Sequence, residues 1–451
     1  MMNRFFDFVI SFVAAAGITW LLHEPSFTQA QTSVLFLVMF SVGLWLTEAA
    51  PPFAVSLLII AFLVFALGYE KFTDTPGDIK VYLNTFSSSV IWLMMGGFFL
   101  AKAMTKTGLD ASLIHLTIKV CGANPKRILF GLMMITLVFS MLISNTATTA
   151  MVIAAVMPLL LKMGTNSTAR KAFLLGVPIA ATTGGMGTII GSPPNAIAVG
   201  ALASTAHPVD FVTWILYGTP VSLSLTLLSW WFLVRLFIKN EARLSLEDFV
   251  PEEHEITQAF RLKRWAVSVI LSVTLLLWLT SPLHKLGAAA VSAVPLVLLP
   301  LTGILNGEDI RSIGWDTLIL VAGGLALGIG LQQTGLLDHY AGKITALHVP
   351  AVAFFFLLAY VTMFFSNIMS NTATSTVLIP LGMSILPGNL KEVCMIIGLS
   401  ASTALFLPVS TPPNAIAYDT GLIEQKDFRI GGLLVGLLGP ALIVMWVLWV
   451  T

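Results

Sequence analysis

Ser144-Asn145-Thr146-Ala147-Thr148 and Ser370-Asn371-Thr372-Ala373-Thr374 are the same five residues, set twice into a chain of 451. Each copy lies between two apolar helical runs, and each is followed downstream by Pro-Pro-Asn, at Pro193 to Asn195 and Pro412 to Asn414. Motif order and approximate spacing recur over half the chain, so gene duplication is the economical reading. The duplication points to one binding site built from two halves.

Composition sets the solvent. A hydrophobic share of 57%, a charged share of 10% and a mean hydropathy of +0.92 exclude a water-soluble globule and imply an all-α polytopic membrane protein. A net charge of +1 argues against a nucleic acid partner, and the two cysteines, Cys121 and Cys394, are too few for a disulfide framework. Spanning candidates, at about 17–25 apolar residues each, run near 5–22, 32–48, 53–69, 88–106, 172–200, 211–237, 265–281, 287–305, 315–333, 393–418 and 431–450. Two further apolar stretches, 128–161 and 350–386, are interrupted at their middle by the Ser-Asn-Thr motif, leaving arms of about 15–20 residues or about 22–30 Å of helix.

Loop charge tests whether those two stretches cross or turn back. With the N-terminus cytoplasmic and both stretches treated as re-entrant hairpins, only Lys71, Lys80, Lys285, Lys343 and Lys391 of the 23 Lys and Arg fall outside, as the positive-inside rule asks. Letting either hairpin cross would put Lys126-Arg127 and Arg170-Lys171 on opposite faces. Residues 1–30 then form an N-terminal span outside the repeats, 31–238 a first repeat, 239–264 a charged cytoplasmic linker and 265–451 a second repeat. Five spans and one hairpin per repeat, an odd number of crossings, insert the second repeat upside down. Gly96-Gly97 with Thr107-Gly108-Leu109 echoes Gly323-Gly324 with Thr334-Gly335-Leu336. Inverted repeats of about eleven spans plus two hairpins are the architecture of secondary transporters. The alternative for residues 1–30, a cleaved signal peptide, fits poorly with Asp7 inside the apolar run and with no small-residue cleavage site.

A helix broken inside a bilayer exposes backbone groups that lipid cannot satisfy, so it persists where something polar occupies the break. The arms beginning at Ala147 and Ala373 point their N-termini at the protein centre, with Asn145, Thr146, Asn371 and Thr372 as expected caps, and that end favours an anion. Ser140, Ser144 and Asn145 lie on one hairpin face, and Gly191 is expected to end the helix before Ser192-Pro193-Pro194. The counterparts are Ser366, Ser370 and Asn371, with Ser410 before Thr411-Pro412-Pro413. Hydroxyl, amide and freed carbonyl oxygens suit a small hard cation, so one sodium site per repeat is expected. One isolated Ser-Asn-Thr would read as interhelical glue. Two copies, each with a Pro-Pro-Asn break, do not. Gly184-Gly185 and Gly96-Gly97 read as helix packing, Glu48 as a residue reaching the interface and Asp316 as a helix-start residue. His115, His284 and His348 show no metal-ligand spacing, and no HExxH, Walker loop or nucleophile elbow appears, which leaves an enzyme without its parts.

The stretches Ser144–Met151, Gly191–Ala198, Ser370–Pro380 and Leu407–Ala417 resemble the divalent anion/sodium symporter family of dicarboxylate, citrate and sulfate carriers. The resemblance implies a plasma-membrane homodimer of eleven-span protomers, each with a scaffold domain and a transport domain moving as an elevator, with no cofactor beyond Na+ as coupling ion. It implies sodium at Ser140, Ser144, Asn145 and Gly191, and at Ser366, Met369, Asn371 and Ser410. It also implies substrate contacts from Asn145, Thr146, Ser370, Asn371, Thr372, Thr411 and Pro412. Leu405 and Ala417 stand where similar carriers often have Phe and Val, which bears on substrate preference. Neither motif holds a Lys or Arg, so bound cations are expected to neutralise a dianion. The resemblance favours succinate, malate and fumarate by family frequency; a sodium-independent dicarboxylate exchanger, a citrate or sulfate carrier of the same fold, or a channel is the competing expectation.

Overall fold

The computed structural model describes residues 2–74, 76–163, 168–203, 205–238, 258–345 and 349–451, and every regular element among them is helical. Most of the charged linker read at 239–264, and His348, lie outside the described residues. Nine helices among the described residues are long and apolar enough to cross a membrane. The difference from the eleven expected spans has a local cause. The nine include one arm of each hairpin, Asn145–Lys162 and Ala351–Ile368, and leave out the shorter Pro52–Gly68 and Ala288–Leu301. They also leave out the expected spans 172–200 and 393–418, because neither is one helix.

Each interrupted stretch is a pair of helices joined by a tight turn. In the first, Asn124 caps the incoming arm Pro125–Ser140 by accepting from Lys126 N at 3.0 Å. Pro125 takes the first helical position, where a missing N–H costs nothing. The chain turns through Met141–Ser144 and re-enters helix as Asn145–Lys162. The second hairpin is Ala351–Ile368, an extended Met369, then Asn371–Ile385. The caps differ from the expectation. Ser144 and Ser370, not Asn or Thr, stand at the N-cap, accepting from Ala147 N at 3.2 Å and Ala373 N at 3.1 Å. A serine oxygen reaches the N–H three residues on with its own backbone extended, which frees the amide of the next residue to point elsewhere.

Both breaks also depart from expectation in one respect: the prolines start a helix and do not stop one. Thr168–Gly184 runs into a single 3-10 turn, Gly185–Gly187, then an unwound stretch, and helix resumes at Pro193–Leu202. Gly191 therefore lies inside the unwound stretch and not at a helix end. In the second half Leu390–Ser400 passes through Ala401–Thr403 and resumes at Pro412–Asp419. Fixed φ and the absent N–H suit proline to the first turn.

Packing is crosswise. Pro412–Asp419 lies against Asn145–Lys162 and Thr168–Gly184, while Pro193–Leu202 lies against Asn371–Ile385 and Leu390–Ser400. Around this centre, Trp315–Gln333 packs on Pro52–Gly68, and Ser89–Lys106 packs on Ala293–Leu301. The glycine landmarks explain how closely. A Cβ on Gly96 would stand 2.7 Å from Ser292 Cβ, and one on Gly323 would stand 2.3 Å from Ser56 Cβ. Two short helices that the sequence reading omitted, Leu109–Cys121 and Leu336–Thr345, follow Gly108 and Gly335, which take φ of +58° and +67°. Their charged faces kept them below any spanning threshold.

Candidate functional site

The site begins at Ser140, the last residue of the first incoming arm, fully buried and aimed at the first break. Its hydroxyl has one proton, yet Asn145 Oδ1 and Ala181 O both stand 2.6 Å away. Asn145 Oδ1 thus faces oxygens alone. Turning the amide satisfies it, with Nδ2 at 2.6 Å from Ser140 Oγ and 3.2 Å from the carbonyls of Ala181 and Gly191. With the amide oxygen inward instead, four oxygens converge with too few protons among them, which is the donor set of a hard cation. Gly191 is required here by space: a Cβ would come within 2.7 Å of Gly185 O and 2.8 Å of Ser140 O.

The second half repeats the cluster. Ser366 Oγ lies 2.7 Å from Asn371 Oδ1 and 2.7 Å from Ala401 O. The first turn of each outgoing arm is braced identically, Thr149 Oγ1 donating to Asn145 O at 2.8 Å and Ser375 Oγ to Asn371 O at 2.9 Å. Ser410 departs from its counterpart Gly191. Its hydroxyl donates to Asn367 Oδ1 at 2.9 Å and accepts from Leu407 N at 3.1 Å. Thr411 caps Pro412–Asp419, accepting from Asn414 N at 3.4 Å. Met369 is buried with its N–H bonded to Phe365 O at 2.8 Å.

Of the expected anion contacts, Thr146, Ser370 and Pro412 are exposed, Asn145 and Asn371 are half-buried, and Thr372 and Thr411 are buried. The structure thus gathers Ser140, Asn145 and Gly191 into one cluster and Ser366 with Asn371 into another. Ser144 and Ser370 cap the turn beside each cluster.

Four contributors were not read from the sequence. Ala181 and Ala401 supply carbonyls; their only trace is the shared Ala-Thr-Thr and Ala-Ser-Thr at 181–183 and 401–403. Asn367, next to Ser366, ties Ser410 and Phe406 N (3.1 Å) to the second hairpin. Gly185, read as helix packing, gives Asn145 its room, since a Cβ there would meet Asn145 Oδ1 at 2.4 Å.

The Asn of each Pro-Pro-Asn holds the break open. Asn195 Nδ2 donates to Gly185 O at 2.8 Å and Thr188 O at 2.7 Å, Trp214 Nε1 to Met186 O at 2.9 Å, and Thr219 Oγ1 to Gly187 O at 3.0 Å. Four successive carbonyls freed by unwinding are met by side chains. Asn414 Nδ2 likewise donates to Leu407 O at 3.0 Å and Leu405 O at 3.4 Å. Outside the site, Glu48 is an exposed helix end in the left-handed region and Asp316 lies in the first turn of its helix. Cys121 and Cys394 are both free thiols.

The profile of the sodium:sulfate symporter transmembrane region matches residues 3–451. A protein of Staphylococcus saprophyticus named sodium-dependent dicarboxylate transporter SdcS is 27% identical over 463 residues, covering 95% of this chain and 88% of that one. Its namesake from Staphylococcus aureus is 28% identical over 451 residues, covering 92% and 85%. Among solved structures, the Alcanivorax borkumensis YdaH transporter superposes with a TM-score of 0.61 at 15% identity, covering 88% of this chain and 98% of that one. The Neisseria gonorrhoeae efflux pump MtrF gives 0.59 at 13% identity, covering 91% and 97%; both show likeness of fold alone. On a profile that spans the chain almost end to end, this protein belongs to the sodium:sulfate symporter family and is a multi-pass membrane transporter, not an enzyme.

Proposed function

We propose that the protein is a sodium-coupled symporter importing divalent anions, with C4-dicarboxylates such as succinate, malate and fumarate as substrates. The observation that carries this reading is the repeated oxygen cluster, Ser140 with Asn145 and Ala181 in one half and Ser366 with Asn371 and Ala401 in the other. Each cluster binds one sodium, and the exposed hairpin tips with Thr411 and Pro412 hold the two carboxylates. Names of the Staphylococcus relatives support both the ion and the substrate class. Sodium also answers an electrostatic need. Bringing a dianion into a cell at about −100 mV costs roughly 4.6 kcal/mol at about 2.3 kcal/mol per charge. Two sodium ions cancel that, and a third makes uptake electrogenic.

The architecture proposed is two inverted repeats, 31–238 and 265–451, of eleven spans with two re-entrant hairpins, the N-terminus cytoplasmic, in a homodimer of the inner membrane. The paired caps, paired clusters and crosswise packing support duplication, and odd spans per half support inversion. A unit made of the hairpins and broken helices moves as an elevator against the helices around Ser89–Lys106 and Trp315–Gln333. The test is sodium-dependent counterflow of labelled succinate in proteoliposomes, competed by citrate and sulfate. Counterflow that runs equally without sodium marks an exchanger. Competition by citrate or sulfate below the succinate concentration reassigns the substrate, and currents far above carrier turnover mark a channel.

A further inference from the structure

The two breaks share a backbone but not their surroundings. Gly191 N donates to Thr188 O at 3.3 Å and Ser410 N to Leu407 O at 3.1 Å, closing the same turn. Asn195 and Asn414 clamp those same carbonyls at 2.7 and 3.0 Å. This register makes Ile190 the counterpart of Val409, and Val199 that of Tyr418. Yet Ile190 is 3% exposed where Val409 is 81%, and Val199 is 7% exposed where Tyr418 is 42%. The difference lies in what each half leans on.

Ile190 is covered by Ser89–Lys106, where Gly97 leaves a notch: a Cβ there would come within 2.9 Å of Ile190 Cδ1 and 3.3 Å of Ile190 Cβ. The counterpart of Gly97 is Gly324, since the neighbours Gly96 and Gly323 make matching contacts with Ser292 and Ser56. Gly324 is approached by Thr376 Oγ1, 2.8 Å from where its Cβ would lie, and by Ile197 Cδ1 at 3.4 Å. Of two apolar knobs and two glycine notches, one matched pair is engaged.

We propose that Val409 and Gly324 form the second latch, closed when the carrier faces the other side of the membrane, as Ile190 on Gly97 is released. This rests on the alternating-access reading above: when inverted halves exchange conformations, the surroundings of Ile190 pass to Val409. Seating one apolar knob as the other is uncovered keeps the buried apolar area similar in the two end states, so neither state traps the carrier. The exchange is imperfect at one place. Gly200 receives Leu325, a Cβ there lying 2.6 Å from Leu325 Cδ2, whereas the counterparts are Asp419 and Phe98, so the second seat is looser on that flank.

The test uses a Cys121→Ala/Cys394→Ala background carrying either Gly97→Cys with Ile190→Cys or Gly324→Cys with Val409→Cys, in proteoliposomes. Bridging under mild oxidation is read by mass spectrometry, and sodium-driven uptake of labelled succinate is read alongside. Both pairs bridge, and either bridge lowers uptake at least about tenfold, restored by reductant. If the 97–190 pair bridges and blocks uptake while the 324–409 pair never bridges in protein that transports, the latch is wrong and alternating access stands. If protein bridged at 97–190 transports normally, the moving-unit reading itself fails. If the wild-type protein takes up no succinate under the same sodium gradient, the substrate assignment fails, which is a result separate from the latch. Should Gly324→Cys not fold, Val409→Gln replaces it: uptake falls about tenfold with equilibrium binding of sodium and succinate unchanged, whereas Val409→Ile transports normally. Wild-type uptake by Val409→Gln overturns the latch.

Discussion

In the proposed carrier one amide, that of Asn145, serves both the cation and the anion. Its side chain lies against Ser140 Oγ and the Ala181 and Gly191 carbonyls, and its position opens the outgoing arm. Asn145→Ala is expected to abolish both uptake and its sodium dependence, and Asn371→Ala to do the same in the other half. Uptake at the wild-type rate by reconstituted Asn145→Ala would remove the residue from the site. Gly185 gives a finer probe. Its Cβ would crowd the Asn145 amide, 2.4 Å from Oδ1 and 2.8 Å from Nδ2, so Gly185→Ala is expected to raise the sodium concentration for half-maximal uptake roughly tenfold, about 1.4 kcal/mol. The Asn residues were legible in the sequence because polar residues stand out in an apolar run. Gly185 was not, because its function is an absence of side chain, and only the neighbour that would collide reveals it.

At the scale of elements, the broken helices are held open by their own downstream turn. Asn195 supplies two donors to the first break and Asn414 two to the second. Asn195→Leu strands the buried Gly185 carbonyl at about 1–3 kcal/mol and leaves Thr188 O with the Gly191 N–H alone, so thermal unfolding in detergent should shift to lower temperature even with sodium present. An unchanged midpoint would mean that the unwound segment is held by Trp214 and Thr219 alone. The sequence located both breaks to within a few residues through Pro-Pro-Asn, but misjudged the direction: the same two prolines read equally well as stopping a helix or starting one. Backbone context decides, and here the preceding Ser192 and Thr411 are extended while the prolines sit in the first turn.

Across the whole molecule, the halves are tied by an ion pair that loop charge alone could not foresee. Lys171 Nζ bonds both oxygens of Asp427, at 3.0 and 2.9 Å, joining Thr168–Gly184 to Gln425–Gly431. Asp427 is 8% exposed and Lys171 29%, so removing one partner costs less than the 3–5 kcal/mol of a fully buried pair, about 2–3 kcal/mol. Asp427→Ala should therefore unfold earlier than the double variant Lys171→Met/Asp427→Leu, as read by thermal melts; equal melts would mean that the pair is solvated. The proposed topology is tested by single cysteines at Lys126 and Arg170, which are expected to react with an impermeant thiol reagent from the same side of the membrane. Reaction from opposite sides would mean that the first hairpin crosses.

The sequence by itself determined the membrane setting, the helical class and the family, and it marked the two Ser-Asn-Thr turns and the two Pro-Pro-Asn helix starts, because apolar runs, duplicated polar motifs and proline pairs are all properties of the chain read in order. It could not supply the Ala181 and Ala401 carbonyls, the clearance at Gly185 and Gly191, the Lys171–Asp427 tie or the unequal burial of Ile190 and Val409. Main-chain oxygens have no side-chain signature, and a glycine's purpose depends on what stands opposite it. Burial, too, is a relation between segments far apart in sequence, so it exists only once the helices have packed.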